Sequence, residues 1–149
     1  MTATRIDQDM AASAAAMLAP TVDKELRTRY RQLRMMLHTA GLAATYAYVA
    51  SKSNDPSTAG QQALPAAYRL VADGIRARLG RLGLLGGDPA TTSHTEVLKR
   101  LGQADAAVYL RASAEITHLA GWLSRLADAM HQADAPTGDR PDPAAGPAS

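Results

Sequence analysis

Apolar residues recur every three or four positions along two long segments of the chain, one following Asp23 and the other following Asp105. Apolar residues at this spacing line one face of an α-helix and leave the opposite face to polar residues. Each segment is therefore predicted to be an amphipathic helix whose apolar stripe faces a core. The stripes are Leu26, Tyr30, Leu33, Leu37 and Ala40 in the first helix, and Tyr109, Ala112, Ile116, Leu119, Leu123, Leu126 and Met130 in the second.

Four shorter segments also carry helix signals. An Ala- and Met-rich stretch ends ahead of Pro20, and Gly41 should break or bend the chain after the first of the two long helices. Pro65 suits the first turn of a helix, and Ser93 precedes Glu96 at the spacing of a capping box. The predicted shorter helices are Ile6–Leu18, Leu42–Lys52, one from Pro65 through Leu79, and one from Ser93 to about Gly102.

The segments between and after these helices have the composition of loops. Ser53–Gln62 is rich in turn-forming residues, and Gly80–Pro89 is a Gly-rich connection. The end of the chain, residues 133–149, is rich in Pro, Gly, Ala and Asp, and we expect it to be disordered. The prediction is an all-α protein in which residues 1–132 form a single compact bundle of about five to six helices.

The amino-acid composition supports a helical protein and excludes several kinds of functional site. Alanine accounts for 32 of the 149 residues, whereas Val and Ile together number eight. Because alanine is the strongest helix former and strands favour β-branched and aromatic residues, an all-β fold is excluded and a parallel α/β sheet is disfavoured. The absence of cysteine excludes a disulfide framework, a Cys-ligated zinc site, an iron–sulfur cluster and a cysteine nucleophile.

Neither a membrane span nor a signal peptide is expected. No apolar run approaches the roughly 18 residues that cross a bilayer. Residues Met1–Met10 carry charged side chains where a signal peptide has an apolar core. We therefore expect a soluble cytoplasmic protein with no membrane contact.

Positive charge is concentrated in the helix that follows Asp23. The formal net charge is +2, but residues 1–132 alone carry 15 basic and 11 acidic side chains. A stripe of basic side chains follows the apolar positions by one residue: Arg27, Arg31, Arg34 and His38, with Lys24 and Arg29 nearby. Such a stripe could contact successive phosphates of a nucleic acid, or it could be a solvated face. No aromatic residue is interleaved with it, so backbone contact is favoured over base stacking.

Motifs that carry catalysis or bind cofactors are missing. Glu115 and His118 have the i, i+3 spacing of di-iron ligands, but a di-iron bundle needs a second such pair and further glutamates, and the chain has only three Glu. The glycines between Gly80 and Gly87 lack the Gly-Lys-Ser/Thr ending of a phosphate-binding loop, and G-x-S-x-G is absent. We therefore expect no metal, no cofactor and no enzymatic activity.

The order of several motifs resembles one known family, the small α-helical subunit of the type III-B CRISPR effector, or Cmr complex. The family has a Tyr-led amphipathic turn, Gly-Leu, a helix ending in Ser-Lys, a second Tyr-led helix, and a closing helix with an early Tyr and a late Trp-Leu. The match spans about Arg5–His131. The matching positions are Tyr30–Leu33, Gly41–Leu42, Ala43–Val49, Ser51–Lys52, Tyr68–Val71, Tyr109, Ala112, Glu115, Trp122–Leu123, Leu126–Ala127 and Ala129.

The resemblance implies a non-catalytic role in antiviral defence. Small subunits of this kind stack in the inner filament of the effector, beside the crRNA–target duplex. The implied partners are the backbone subunits, the large polymerase-like subunit, neighbouring copies of the small subunit, and crRNA or target RNA. Spacing nominates four residues for phosphate contact and the resemblance adds a fifth at its Ser-Lys position: Lys24, Arg27, Arg31 and Arg34, with Lys52.

Two other functions and one residue role stay open at this point. The related small subunit of the type III-A complex is also a small helical protein, and a helical adaptor that binds only a partner protein is an alternative without nucleic acid. Trp122 lies beside the stripe of the last helix, which favours a core anchor. The other interpretation of Trp122 is an anchor at a subunit contact.

Overall fold

The computed structural model describes residues 2–54 and 63–133, and within them the chain forms six α-helices, one short 3₁₀ turn and no strand. The prediction of an all-α bundle of five to six helices is confirmed. The predicted loop positions 55–62 and tail positions 134–149 lie outside the described residues. The helices are α1 Thr2–Met17, α2 Lys24–Thr39, α3 Leu42–Ser53, α4 Ala63–Arg81, α5 His94–Gln103 and α6 Ala106–Ala133, and the 3₁₀ turn is Pro89–Thr91.

Short polar residues and one glycine set the helix starts near the predicted positions. The Asp23 carboxylate accepts from the Leu26 N–H at 2.7 Å, and the Ser93 hydroxyl accepts from the Glu96 N–H at 3.1 Å. Both bonds satisfy backbone donors that a helix N-terminus leaves unpaired. Gly41 separates α2 from α3 at φ +93°, a conformation that disfavours residues with a Cβ.

Helix α4 continues past the predicted end at Leu79 to Arg81, so Gly80 is helical. A Cβ at Gly80 would collide with the ring of Pro89, so the glycine allows the following segment to fold back onto the helix. The helix ends at Arg81, two residues before Gly83, which has φ +75°, and the Leu84 N–H donates to the Leu79 carbonyl at 3.1 Å. A left-handed glycine with this bond is a common C-terminal stop, and the sequence offered several glycines that could have supplied it.

The bundle is organised around α6, which packs against α1 and α2, while α3 packs against α4 and α5. Helices α2 and α6 run antiparallel. Near the start of α2, the Val22 carbonyl lies 3.4 Å from His131 Nδ1, and beyond its other end the Ala43 N–H donates to the Tyr109 hydroxyl at 3.1 Å. The predicted apolar stripes of α2 and α6 are largely buried in this arrangement.

An ion-pair cluster joins α1 to α4. Arg78 is only 6% exposed, and its guanidinium donates to the Asp9 carboxylate at 2.8 Å and to the Ser13 hydroxyl at 2.6 Å. Arg81 donates to the other oxygen of Asp9 at 2.6 Å. The hydrogen bonds from Arg78 and Arg81 lower the pKa of Asp9 below its usual value. The side chain of a buried arginine is thus kept paired by the neighbouring helix.

Tyrosine hydroxyls connect elements that are distant in sequence. Tyr30 is 2% exposed, and its hydroxyl accepts from the Ala19 N–H at 3.1 Å, at the turn between α1 and α2. Tyr46 is fully buried in α3, and its hydroxyl lies 2.6 Å from His94 Nδ1 at the start of α5. These contacts fix the helix ends that surround α2 and α3.

The Tyr46–His94 contact favours a neutral histidine. Burial and the nearby Arg76 guanidinium lower the pKa of His94 below 6.5, although Asp73 opposes the shift. Burial raises the pKa of Tyr46 to about 12, so the hydroxyl stays protonated. The hydrogen bond therefore joins two neutral groups, and the tautomer of His94 sets which of them donates.

Replacing Tyr30 with Phe is expected to lower the free energy of unfolding by about 1–3 kcal/mol, because the buried Ala19 N–H loses its acceptor. Urea denaturation monitored by circular dichroism measures the change. Tyr109→Phe is the matched control, since its bond to the Ala43 N–H is only partly buried and water can replace it. Equal losses in the two variants would contradict the assignment.

Stability is expected to fall as pH drops from neutral, in a way that depends on His94. The unfolded chain binds a proton at His94 more readily than the native chain, so the contribution is complete above pH 6.5 and is lost as pH falls through the lowered native pKa. Urea denaturation at a series of pH values should show a shallower decline in His94→Gln than in the wild type. Parallel profiles would rule out His94 as the source.

Candidate nucleic-acid interface

Helix α2 presents basic side chains on both sides of its buried stripe. Leu26, Tyr30 and Leu33 face the core. At about 100° of rotation per residue, positions 27, 31 and 34 lie on the side toward α6, whereas position 29 lies on the opposite side, toward α3 and α4. The two sides are called here the α6 flank and the α3 flank of α2.

On the α6 flank, Arg27 and Arg31 bind the same carboxylate. Arg27 Nε and Arg31 Nη2 each lie 3.0 Å from Asp128 Oδ1, and the Asp128 side chain is 35% exposed. Two guanidinium groups on one carboxylate leave a net positive charge at the seam between α2 and α6. Two members of the predicted stripe therefore help to join helices as well as carrying charge.

The other members of the predicted stripe are exposed. Lys24 is the first residue of α2, and Arg34 lies one turn beyond Arg31. His38 is also exposed, in the last turn of the helix. The structure thus places Lys24, Arg27, Arg31 and Arg34 on one helix, as the spacing predicted, with Arg27 half-buried.

Lys52 lies on the α3 flank. Its ammonium is 5.7 Å from the centroid of the Tyr48 ring, and the Tyr48 hydroxyl lies 3.5 Å from Arg29 Nη1. The Tyr68 ring meets the Tyr48 ring edge to face, with centroids 6.0 Å apart. We call Arg29, Tyr48, Lys52 and Tyr68 the Tyr48 cluster. The contacts group Lys52 with this cluster and not with Arg27 and Arg31.

Burial of the Tyr48 cluster is uneven. Tyr68 is 3% exposed, whereas Tyr48 and Lys52 are half-buried. Burial raises the pKa of Tyr68 well above its usual value, and its hydrogen bond with Tyr48 adds to the shift. The buried Tyr68 ring therefore stays neutral, and the cations Arg29 and Lys52 lie beside the outer Tyr48 ring.

The Tyr48 cluster was not foreseen from the sequence. Arg29 and Tyr48 are 19 positions apart and meet only because α3 folds back beside α2 after Gly41. The one local signal is that Tyr48 and Lys52 are four residues apart on α3, the spacing at which helical side chains become neighbours. The sequence led us to expect no aromatic side chain beside the basic residues; Tyr30 of α2 is buried in the core, but Tyr48 of α3 lies beside Arg29.

Trp122 contacts the core and a basic side chain of its own helix. The indole is half-buried and packs against the core, and the Arg125 guanidinium lies 5.8 Å from its ring centroid. Its Nε1 is buried and has no hydrogen-bond partner among the described residues. The core-anchor interpretation accounts for the packing, but not for the unpaired donor.

The part of the chain that the structure describes has neither a cluster of possible metal ligands nor a membrane-spanning helix. Glu115 Oε1 lies 3.8 Å from the Arg111 Nε atom, and no group of three or more possible metal ligands occurs among the described residues. None of the helices in residues 2–54 and 63–133 is long and apolar enough to cross a membrane.

The chain matches a known protein family over most of its length. A family model described as CRISPR-associated protein (Cas_Cmr5) matches residues 4–130, nearly all of the described chain. The chain therefore belongs to the Cas_Cmr5 family, the small subunits of the type III-B, or Cmr, CRISPR system. Membership implies a place in a Cmr complex with other Cas subunits. No curated protein sequence and no solved structure matches the chain.

Proposed function

We propose that the chain is a non-catalytic small subunit that stacks in the inner filament of a type III-B effector and contacts the backbone of crRNA or target RNA. Its partners there are the backbone subunits, the large polymerase-like subunit and neighbouring copies of itself. The role is in antiviral defence in the cytoplasm. Four cations of α2 contact RNA phosphates: Lys24, Arg27, Arg31 and Arg34. Lys52 of α3 contacts phosphate on the other side of α2.

The observation that carries the proposal is the row of cations on the α6 flank of α2. From Arg27 to Arg34 the helix rises about 10 Å, which corresponds to about three nucleotides of a stacked strand. Guanidinium groups bind phosphate oxygens through paired hydrogen bonds, so a regular row of them suits contact with a backbone of any sequence. Sequence selection then falls to guide pairing.

Asp128 modulates this flank. Its carboxylate holds Arg27 and Arg31 on the same side of the helix, which limits the side-chain entropy lost on binding. A phosphate that binds these two arginines competes with Asp128 for the same donors. The Asp128 carboxylate therefore orients the two arginines and also lowers their affinity for phosphate.

The exposed cations Lys24 and Arg34 of α2 are expected to contribute salt-dependent RNA affinity. Lys24→Gln with Arg34→Gln should weaken binding and reduce the slope of log K against log salt concentration by about 1.4, since each phosphate contact on a single strand contributes about 0.7. Fluorescence anisotropy with labelled RNA across a salt titration measures both. Because both side chains are exposed, the helicity should be unchanged.

The control for this variant carries the same charge change elsewhere. Lys99→Gln with Arg111→Gln also removes two exposed cations, from α5 and α6. This control should keep most of the wild-type slope. If both double variants lose the same slope, the binding follows net charge and the assignment to α2 is wrong.

Removing the Asp128 carboxylate is expected to strengthen RNA binding. Asp128→Asn frees Arg27 and Arg31 for phosphate, so affinity should rise several-fold at low salt. The free energy of unfolding should fall by no more than about 1 kcal/mol, because the pairs are partly exposed. Glu96→Gln is the control, since it removes an exposed carboxylate paired with Arg100. An equal gain in RNA affinity in both variants would show that the gain follows net charge and not the release of Arg27 and Arg31.

The adaptor alternative draws on exposed apolar side chains. Met35 is 69% exposed and Leu110 is 68% exposed, and such residues suit contacts with protein. Affinity purification of the tagged full chain from its host separates the two functions. Recovery of Cmr backbone subunits with a guide RNA of uniform length supports the subunit role. Recovery of one unrelated protein without RNA supports the adaptor.

A further inference from the structure

Two exposed cations of α2 have no carboxylate partner within the described part of the chain. Lys24 begins the helix and Arg34 lies near its C-terminal end, and neither forms an ion pair with any described residue. Between them, Arg27 and Arg31 share the single carboxylate of Asp128. These four side chains are called here the α2 cation row. The row has fewer carboxylates than cations, and its two ends are available to an anion.

Neighbouring carboxylates do not neutralise the α2 cation row. The Asp23 carboxylate caps α2 by accepting from the Leu26 N–H at 2.7 Å. Glu25 pairs with Arg29, on the α3 flank. Two carboxylates, of Asp23 and Asp128, therefore face four cations, and the exposed side of α2 keeps an excess of positive charge.

Carboxylates carried by the end of α6 are placed to bind this row. Asp128 lies in the last two turns of α6, and its Oδ1 atom is 3.0 Å from both Arg27 Nε and Arg31 Nη2. About one turn later, His131 Nδ1 lies 3.4 Å from the Val22 carbonyl oxygen, at the start of α2. The chain thus leaves α6 beside the first residue of the α2 cation row.

The sequence beyond α6 is acidic where it follows the helix. The described part of α6 ends at Ala133, and the sequence continues as DAPTGDRPD. We call residues 134–142 the acidic segment. It carries three carboxylates and one cation: Asp134, Asp139 and Asp142, with Arg140. The net charge of the acidic segment is opposite in sign to that of the α2 cation row.

The acidic segment is long enough to follow the α2 cation row. Lys24 and Arg34 are separated by about 15 Å along the helix axis, because an α-helix rises about 1.5 Å for each residue. An extended chain covers about 3.5 Å for each residue, so Asp139 and Asp142 can lie up to about 20 Å and about 30 Å from Ala133. Both carboxylates can therefore reach the row without any change in the folded helices.

We propose that the acidic segment binds the α2 cation row of its own chain, with its aspartates paired to Lys24 and Arg34. The bound segment occupies the surface that the proposed function assigns to RNA phosphates, so the two ligands compete. That consequence rests on the proposed function, whereas the contact between the segment and the row does not. Asp128, which already binds the middle of the row, is then the first carboxylate of a longer series.

Attachment to α6 favours the contact although each ion pair is weak. An exposed pair between a carboxylate and a lysine or arginine contributes little by itself. Because the segment is joined to the end of α6, its effective concentration at the row is in the millimolar range. RNA gains more from each cation, since every phosphate contact also releases counterions. The segment therefore screens the row from weakly bound anions and gives way to an RNA that binds several cations at once.

Paramagnetic labelling of the full chain tests the contact directly. The protein has no cysteine, so Ala144→Cys provides a single position for a nitroxide, two residues beyond the acidic segment. The nitroxide should broaden the amide NMR signals of α2 from Lys24 to Arg34. The signals of α5, which packs against α3, should be unchanged. The broadening should fade as the salt concentration rises, because salt screens exposed ion pairs.

Two controls separate ion pairing from proximity alone. Adding Asp139→Asn and Asp142→Asn to the labelled chain keeps the tether and removes the charge, so most of the broadening at Arg34 should be lost. A mixture of isotope-labelled protein without nitroxide and nitroxide-labelled protein without isotope should show no broadening. Broadening that survives the substitutions contradicts the ion pairs. Broadening in the mixture assigns the contact to a neighbouring copy and overturns the contact within one chain.

RNA binding tests the competition. In the full chain without nitroxide, Asp139→Asn with Asp142→Asn should raise the affinity for labelled RNA about 2- to 10-fold at low salt, and the gain should fade as salt rises. Glu96→Gln with Asp105→Asn is the matched control, because it removes two carboxylates from α5 and from the turn before α6. An equal gain in the two variants shows that affinity follows net charge, and it overturns the competition.

The outcomes separate the docking of the acidic segment from the proposed function. If RNA binds in a salt-dependent way but the nitroxide causes no charge-dependent broadening in α2, the docking is wrong and the RNA function stands. If that broadening is present but no RNA binds, the docking stands and the proposed function is wrong. If neither is observed, both proposals fail.

Discussion

A buried tyrosine must pair its hydroxyl, and in this bundle the partners lie on other segments of the chain. The chain has no phenylalanine and a large share of alanine, so tyrosine provides much of the aromatic volume of a core made of small side chains. Tyr30 and Tyr109 accept backbone N–H groups at the two ends of α2, and Tyr46 holds the start of α5. Replacing the Tyr30 ring removes both volume and the acceptor of the buried Ala19 N–H.

These contacts determine which side chains α2 presents on its α6 flank and on its α3 flank. With Tyr30 fixed at the turn from α1 and Gly41 fixing the turn into α3, the rotation of α2 about its axis is set. Arg27 and Arg31 then reach Asp128 of α6, while Arg29 reaches Tyr48 of α3. One helix thus supplies two basic surfaces with different chemistry. The α6 flank is paired with a carboxylate, and the α3 flank is paired with an aromatic ring.

Hydrophobic periodicity and cap residues were sufficient to predict the features that depend on the sequence of a single helix. The stripes of α2 and α6, the caps at Asp23 and Ser93, and the break at Gly41 all follow from spacing and side-chain chemistry, and the structure has them. The end of α4 was missed because several glycines followed Leu79, and only tertiary packing selects Gly83 as the stop. Family resemblance supplied Lys52, but neither resemblance nor spacing could reveal that Asp128 pairs with two stripe arginines. That pairing requires knowledge of how α2 lies on α6.

If the chain acts in several stacked copies, as proposed above, the partial neutralisation of the α6 flank suits that role. A row of wholly unpaired arginines would bind any nucleic acid tightly, because each phosphate contact adds affinity without regard to sequence. Sharing two of the arginines with Asp128 makes the contact of each copy weaker. When copies are stacked along one RNA, their contacts act together, and modest affinities combine into a strong but reversible hold. Under the proposed function, retention of the RNA would depend on the length over which stacked subunits and guide pairing coincide, and no single small subunit would need to bind tightly.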